Sequence, residues 1–291
     1  MSIRAQAWQR RRTFHHDEFA AERLAVERDG SVSVCLPARD EERTIGPILQ
    51  ELEPLRESGL IDQVVVVDDS DDRTAEIARE YGVEVHSAAA LMPSFGPVLG
   101  KGDAIWRALG VLRGDYVCFL DADSQCFGGH FVSGLLGPLL SRREVAFVKG
   151  FYRRPFRVGE LTLPDEGGRV TELMARPLLQ TFYPDLAAID QPLAGEVAAR
   201  RELLEQLPFV TGYGVDIALL LDAYHAVGLD ALAQVDLDVR QNAHQPLREL
   251  GAMASEVLAA VTSRLGREGR LRGPAPDVTE RPPRLSARAA A

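Results

Sequence analysis

Tyr116-Val117-Cys118-Phe119-Leu120, running straight into Asp121-Ala122-Asp123-Ser124, decides how this chain is read. Five residues without a charge are the mark of a strand buried on both faces, and the abrupt acidic pair marks its carboxyl end. The pattern occurs twice earlier. Val32-Ser33-Val34-Cys35-Leu36 runs into Pro37-Ala38-Arg39-Asp40-Glu41-Glu42, and Val64 to Val67 (VVVV) into Asp68-Asp69-Ser70-Asp71-Asp72. Between them the period changes: Ile45, Ile48, Leu49, Leu52 and Leu55 recur at helical spacing, and residues 74–81 and 104–112 read as further helices. Residues 83–86 and 145–148 add strands. Such alternation predicts βαβ units and an α/β fold, Rossmann-like, with a mostly parallel sheet and helices on both faces. Ligands of open parallel sheets bind beyond the carboxyl ends of the strands, so the three acidic clusters converge on one rim.

Further along, residues 170–180, 198–207 and 215–227 read as helices and 233–239 as a strand. Residues 249–264 form a helix with an apolar stripe (Leu250, Met253, Val257, Leu258, Val261, Leu265), able to close the domain or join two subunits. From residue 266 the chain is rich in Arg, Gly and Pro and is expected to be disordered.

At 291 residues, 46% hydrophobic and 26% charged, the composition is that of a globular protein with a sizeable core. No uncharged apolar run approaches the roughly 18 residues of a membrane span, and MSIRAQAWQRRRTF has no apolar segment of a secretory signal. The three cysteines lack CxxC spacing, which argues against disulfides and zinc, so a cytoplasmic protein is expected. Residues 1–15 carry four Arg and no acid, and 267–291 carry six Arg against three acids; the body between them holds a net charge of −17. That field repels a polynucleotide, excluding nucleic acid as a partner, and suits a divalent cation. Of 33 basic residues only Lys101 and Lys149 are lysine, and Asn242 is the single asparagine.

Asp121-x-Asp123 at a strand end brings two hard oxygen ligands to one point, an arrangement that suits Mg²⁺ or Mn²⁺ completed by a substrate diphosphate. Asp40 and Asp72 precede helices and fit their positive ends. Gly100-Lys101-Gly102 precedes a helix; its glycines permit close approach to a ligand and its lysine suits a phosphate or a nucleotide carbonyl. Neither GxxxxGK[ST] nor an N-terminal GxGxxG is present, which excludes a P-loop and counts against a dehydrogenase.

The order Pro37-Ala38-x-x-Glu41-Glu42, Val67-Asp68-Asp69-Ser70, Gly100-Lys101-Gly102 and Asp121-x-Asp123 resembles the GT-A glycosyltransferase fold. Later segments narrow the likeness: VKGFYRRP (148–155), GGRVTELMARPLL (167–179), QPLAGEVAARRELL (191–204), PFVTGYGVDIALLLD (208–222) and RQNAHQPLRELGAM (240–253). Together they are similar to the glucosyl-3-phosphoglycerate and mannosyl-3-phosphoglycerate synthase family, retaining transferases with cytosolic, metal-dependent members. The likeness runs from about residue 8 to 265. It implies an N-terminal extension (1–28), a nucleotide-sugar-binding half (29–150), an acceptor-binding half (151–265) and the tail (266–291). The implied reaction moves a hexose from UDP-glucose or GDP-mannose to 3-phosphoglycerate, and the implied assembly is a homodimer without stable membrane association.

Carried over residue by residue, the resemblance puts Pro37, Ala38, Arg39 and Glu41 on the base and ribose, beside Ser70 and Lys101. Asp121 and Ala122 face the ribose or sugar. Leu193, Gly195, Glu196, Tyr213 and Asp216 line the donor sugar, and Arg240 helps bear the diphosphate charge. Gly168, Arg169, Val170 and Thr171 take the phosphoglycerate; physically, a backbone NH, an Arg fork and a hydroxyl at a helix start form an anion site. The implied catalytic set is Asp123, Lys101 and Asp216. Three departures stand out: Arg39-Asp40 replaces the family's leucine-asparagine, Asp216 replaces a glutamate, and His and Asn are exchanged at 242 and 244. Residues two apart in an extended segment point the same way, so either reaches the metal; we take His244 as ligand with Asp123, imidazole being the better donor, and Asn242 as an acceptor contact.

Other readings are a sugar nucleotidyltransferase, whose glycine-rich N-terminal loop with a following Arg is missing, and a non-catalytic nucleotide-sugar-binding protein. A lipid-linked transferase lacks support from any membrane helix or amphipathic basic stripe.

Overall fold

The computed structural model describes residues 2–158, 161–163, 168–241 and 246–288, with backbone alone for 156–158, 161–163 and 288. The chain opens with α1 (Ile3–Arg12), β1 (Thr13–His15) and α2 (Ala21–Glu27). β2 (Val32–Ala38), α3 (Ile45–Glu57), β3 (Gln63–Asp68), α4 (Thr74–Glu80), β4 (Glu84–Ser87), α5 (Lys101–Ala108) and β5 (Tyr116–Phe119) follow. Next come α6 (His130–Ser141), β6 (Phe147–Arg153), a hairpin of β7 (Phe156–Val158) and β8 (Leu161–Leu163), and α7 (Arg176–Phe182). β9 (Val197–Arg200), α8 (Arg201–Gln206), β10 (Phe209–Val210), α9 (Val215–Val227) and β11 (Leu232–Val239) lead to α10 (Leu247–Arg267), β12 (Glu280–Arg281) and α11 (Arg284–Arg288).

Eight strands form one sheet in the order β1-β11-β6-β9-β5-β2-β3-β4. Successive valines of β3 divide between its faces: Val65 and Val67 join Val117 and Phe119 under α5, α9 and α10, while Val64 and Val66 join Val34, Leu36 and Cys118 under α3 and α6. Uninterrupted apolar strands are therefore buried on both sides, as the sequence predicts. Among the described strands of this sheet β9 alone runs against its neighbours, pairing antiparallel with both β5 and β6. Residues 198–207, expected as a single helix, are thus divided. Ala198 and Ala199 are good helix formers, but Val197 and Ala199 fill one face and Ala198 the other, so insertion between two buried strands overrides local preference. The helix starts only at Arg201.

The ends depart from expectation most. Residues 1–28 include an edge strand, β1, parallel to β11, and the fully buried Trp8, whose indole Nε1 donates to the Leu232 carbonyl at 3.0 Å. The stretch from 266, expected to be disordered, supplies β12, which pairs antiparallel with β10, and α11. Its Arg281 meets a buried carboxylate, a specific gain that composition does not register. The stripe on α10 closes the domain: Val257, Val261 and Leu265 are fully buried, leaving Leu258 exposed. Among the described residues no helix is long and apolar enough to cross a membrane.

Candidate active site

The loops after β2, β3 and β5 meet at one rim, where a cavity of about 400 Å³ opens. Pro37, Ala38, Arg39 and Glu41 form one wall, Val67 and Asp69 the next, Gly100, Lys101 and Ala104 a third. Asp121, Ala122 and Asp123 form the floor, and Tyr213 closes the far side. The glycines around Lys101 have a packing reason. Gly100 has φ +111°, where side chains are strained, and a Cβ on Gly102 would collide with the Val210 carbonyl. The start of α5 therefore lies directly on residues 210–212, and Lys101 projects toward the end of β5.

There Lys101 Nζ sits 2.7 Å from Asp121 Oδ1 and 3.2 Å from Asp216 Oδ2. Burial works against its charge, but those two carboxylates outweigh it and hold the ammonium well above its ordinary pKa. Arg240, 1% exposed, contacts Asp123, lies 3.1 Å from Asp121 Oδ2 and 3.2 Å from Glu196 Oε1, and donates to the Tyr152 hydroxyl at 2.7 Å. Tyr152 in turn donates to Glu196 Oε2 at 2.7 Å. Burial favours the neutral form of Asp121, yet Lys101 and Arg240 depress its pKa far below the usual range, while burial raises Glu196 and Asp216. A Cβ on Gly195 would collide with the Asp121 carboxylate, so glycine there is what lets the 193–196 turn back onto the floor. Beneath lies Lys149, fully buried, its Nζ donating to the carbonyls of Ala194 at 2.5 Å and Asp216 at 3.4 Å. Burial pushes its pKa down to about 8.

A second cavity, about 380 Å³, is lined by Phe151, Tyr152, Arg153, Arg154, Gly168, Thr171, Glu172, Arg176, Asp190, Gln191 and Asp236. Arg176 is braced by Glu172 at 2.9 Å and by the Asp190 carbonyl at 2.9 Å; Arg154 lies over the Tyr152 ring. Tyr152 lines this cavity and bonds to Arg240, which contacts the acidic floor of the first, so one side chain pair joins the two sites.

Nine of the residues singled out from sequence thus line the first cavity: Pro37, Ala38, Arg39, Glu41, Lys101, Asp121, Ala122, Asp123 and Tyr213. Glu196, Asp216 and Arg240 form a buried layer behind it, beside Leu193 and Gly195. Ser70 stands in the loop after β3, its Oγ accepting from the Asp40 amide at 2.8 Å and so tying that loop to the one after β2. Asp40 is a correction, accepting from the Asp71 amide instead of capping α3, whereas Asp72 accepts from the Thr74 amide at 2.9 Å at the start of α4. Gly168 and Thr171 line the second cavity, Val170 is buried and Arg169 half-buried beside them. Asn242 and His244 lie outside the described residues. Sequence reasoning missed Tyr152, Arg153, Arg154 and Arg176 as lining; the tandem arginines of VKGFYRRP were the available signal.

The chain is similar to known proteins along most of its length. The family model for glycosyl transferase family 2 matches residues 33–188. A glucosyl-3-phosphoglycerate synthase of Petrotoga mobilis is 42% identical over 268 residues, 90% of this chain and 82% of that protein. The crystal structure of mannosyl-3-phosphoglycerate synthase from Rubrobacter xylanophilus superposes with TM-score 0.90 at 43% identity, covering 97% of this chain and 98% of that one. Glucosyl-3-phosphoglycerate synthase from Mycobacterium tuberculosis, solved with Mn²⁺, UDP-glucose and phosphoglyceric acid, superposes with TM-score 0.79 at 41% identity, over 92% and 94% of the chains. With a GT-A fold, this chain belongs to glycosyl transferase family 2 and, within it, to the family of glucosyl- and mannosyl-3-phosphoglycerate synthases.

Proposed function

We propose that this chain transfers a hexosyl group from UDP-glucose or GDP-mannose to the hydroxyl of 3-phosphoglycerate, with retention of configuration. The carrying observation is the pairing of two cavities: a carboxylate-and-lysine cleft at the strand ends, and an arginine-lined cavity joined to it through Tyr152 and Arg240. A diphosphate sugar with its cation suits the first, and a doubly acidic acceptor the second. The M. tuberculosis relative solved with Mn²⁺, UDP-glucose and phosphoglyceric acid supports the same reading.

The donor set fits a hard cation. Asp123, on the cleft floor in contact with Arg240, is 41% exposed, and Asp121 lies beside it. Asp123, with His244, would hold Mg²⁺ or Mn²⁺, which when bound neutralises charge on the departing diphosphate. Lys101 and Arg240 are fixed cations at the same floor and stabilise that charge without reorganising. Pro37, Ala38, Arg39 and Glu41 flank the base and ribose; Tyr213, Leu193, Gly195 and Glu196 bound the hexose. Asp216 orients Lys101 across the sugar site. Gly168, Arg169, Val170 and Thr171, with Asn242, receive the acceptor. Its hydroxyl oxygen bonds to the anomeric carbon as the carbon–oxygen bond to the diphosphate breaks. The electron pair leaves with the diphosphate, whose oxygen takes the hydroxyl proton.

The test is product formation from 3-phosphoglycerate with each donor, in Mg²⁺, in Mn²⁺ and in EDTA, with the anomeric configuration read by NMR. A phosphorylated glycoside from one donor, absent in EDTA and retained in configuration, is expected; neither donor consumed would refute the reading. We also propose a cytoplasmic homodimer. The three free cysteines suit a reducing compartment, and the exposed Leu173 and Leu247 offer apolar surface; light scattering reads the assembly.

A further inference from the structure

Asp103 is fully buried two residues beyond Lys101, on the first turn of α5. Its carboxylate receives the guanidinium of Arg281 as a fork, Nε to Oδ1 and Nη2 to Oδ2 both at 2.7 Å. Arg107 completes the cluster at 3.2 and 3.3 Å, while the Leu99 amide donates to Asp103 Oδ2 at 3.0 Å. Arg281 comes from β12, far along the chain, and its segment is laced to the same place by independent bonds. β12 pairs with β10, the Thr211 amide donates to the Thr279 carbonyl at 3.1 Å, and Trp106 Nε1 donates to the Pro282 carbonyl at 2.8 Å. The Asp103 amide in turn donates to the Thr211 carbonyl at 3.2 Å. Residues 210–212 are the backbone on which Gly100 and Gly102 rest, and Tyr213, which lines the cleft, follows them.

We propose that Arg281 is a positioning residue for donor binding: by clamping Asp103 it sets the start of α5, and with it the reach of Lys101 to Asp121 and Asp216. The proposal rests on reading the first cavity as the donor site. Lys101 Nζ stands 2.7 Å from Asp121, so a shift of α5 by about 1 Å breaks a charge-assisted contact, and displacements of that size at such sites cost roughly a hundredfold in rate. Lysine at 281 would keep the charge and lose the fork, since a bidentate grip on one carboxylate needs guanidinium geometry.

The experiment uses the full chain and titrates UDP-glucose and GDP-mannose, each with Mn²⁺, into wild type, Arg281→Lys and Arg281→Ala, with the Michaelis constant for the acceptor, 3-phosphoglycerate, measured in parallel. We expect Kd and KM for the donor to rise about tenfold or more in Arg281→Ala and less in Arg281→Lys, with the acceptor value unchanged within about twofold. Circular dichroism selects folded protein, and if Arg281→Ala fails to fold, Arg281→Lys decides. A folded variant with wild-type donor affinity overturns the proposal. So does an equal loss for donor and acceptor, or a lowered melting temperature with normal kinetics, either of which marks a purely structural role. Failure of wild type to bind either nucleotide sugar overturns the donor-site reading itself and is distinct from those outcomes.

Discussion

Lys149 shows how one side chain can carry the cost of a site. Fully buried below Asp121 and Asp216, it holds the Ala194 carbonyl in place, yet burial lowers its pKa from the ordinary 10.5 to about 8. Between those two values the unfolded chain keeps a proton that the folded one has released, so this group makes stability rise with pH across the window. Below about pH 8 both states are protonated and the penalty is constant. We therefore expect the stability difference between wild type and Lys149→Met to move in favour of wild type from pH 7.5 to 10, by at most about 3 kcal/mol. Urea unfolding at the two pH values measures it, and parallel pH dependence of the two proteins would show that Lys149 is not desolvated. The sequence marks Lys149 as one of two lysines but cannot say why, because its partners lie 45 and 67 residues away. Asp121, Asp123 and Lys101 are legible because each signal is local: a strand that ends in acid, a lysine between glycines. The bond from the Asp40 amide to Ser70 Oγ is not legible in this way, because it joins two loops 30 residues apart.

At the level of elements, what is readable follows strict periodicity, and what is not follows packing. α6 escapes a sequence reading because Gly134, Gly137 and Pro138 disguise its helical pattern. The structure explains those glycines: a Cβ on Gly137 would collide with the ring of Phe19, and one on Gly134 would press on Leu237 and His16. The N-terminal segment is seated in a groove along the helix, and Phe19, buried there, packs edge-on against Phe14 at 5.7 Å. Two effects oppose each other in Gly137→Ala. Alanine favours the helix by about 1 kcal/mol, but overpacking a core contact costs typically about 1–3 kcal/mol. Because the collision is with a buried ring, we expect packing to prevail, with a net loss of about 1–2 kcal/mol and unchanged kcat of the folded enzyme. Thermal melts beside steady-state kinetics test this; a stabilised variant would mean that Phe19 swings aside freely. β9 is hidden for a related reason. Its alanines pass equally for helix, and only insertion between β5 and β6 makes them a strand.

Across the whole molecule, the uneven charge of the sequence becomes a division of labour between ends and body. Arginines toward both ends meet acids: Arg4 with Asp185 at 3.1 Å, Arg11 with Asp230 at 3.2 Å, Arg12 with Glu144 at 3.0 Å, and Arg281 with Asp103 at 2.7 Å. These contacts neutralise locally, but they differ in worth. Arg11 and Asp230 are both about two-thirds exposed, and pairs of that kind contribute about 0–1 kcal/mol. What fastens the N-terminal end is instead Trp8, fully buried and hydrogen-bonded to Leu232 at the start of β11, the strand that delivers Arg240 to the site at its other end. Removing a buried aromatic costs about 3–5 kcal/mol, a large share of what holds a domain folded. We therefore expect Trp8→Ala to lower the urea midpoint sharply, and Arg11→Ala to leave it nearly unchanged, in low and high salt alike. Equal losses from the two, or a large loss for Arg11→Ala that salt abolishes, would mean that charge rather than burial holds the end to the sheet. The contrast also separates stability from chemistry: because α1 lines neither cavity, the folded fraction of Trp8→Ala should turn over at the wild-type rate.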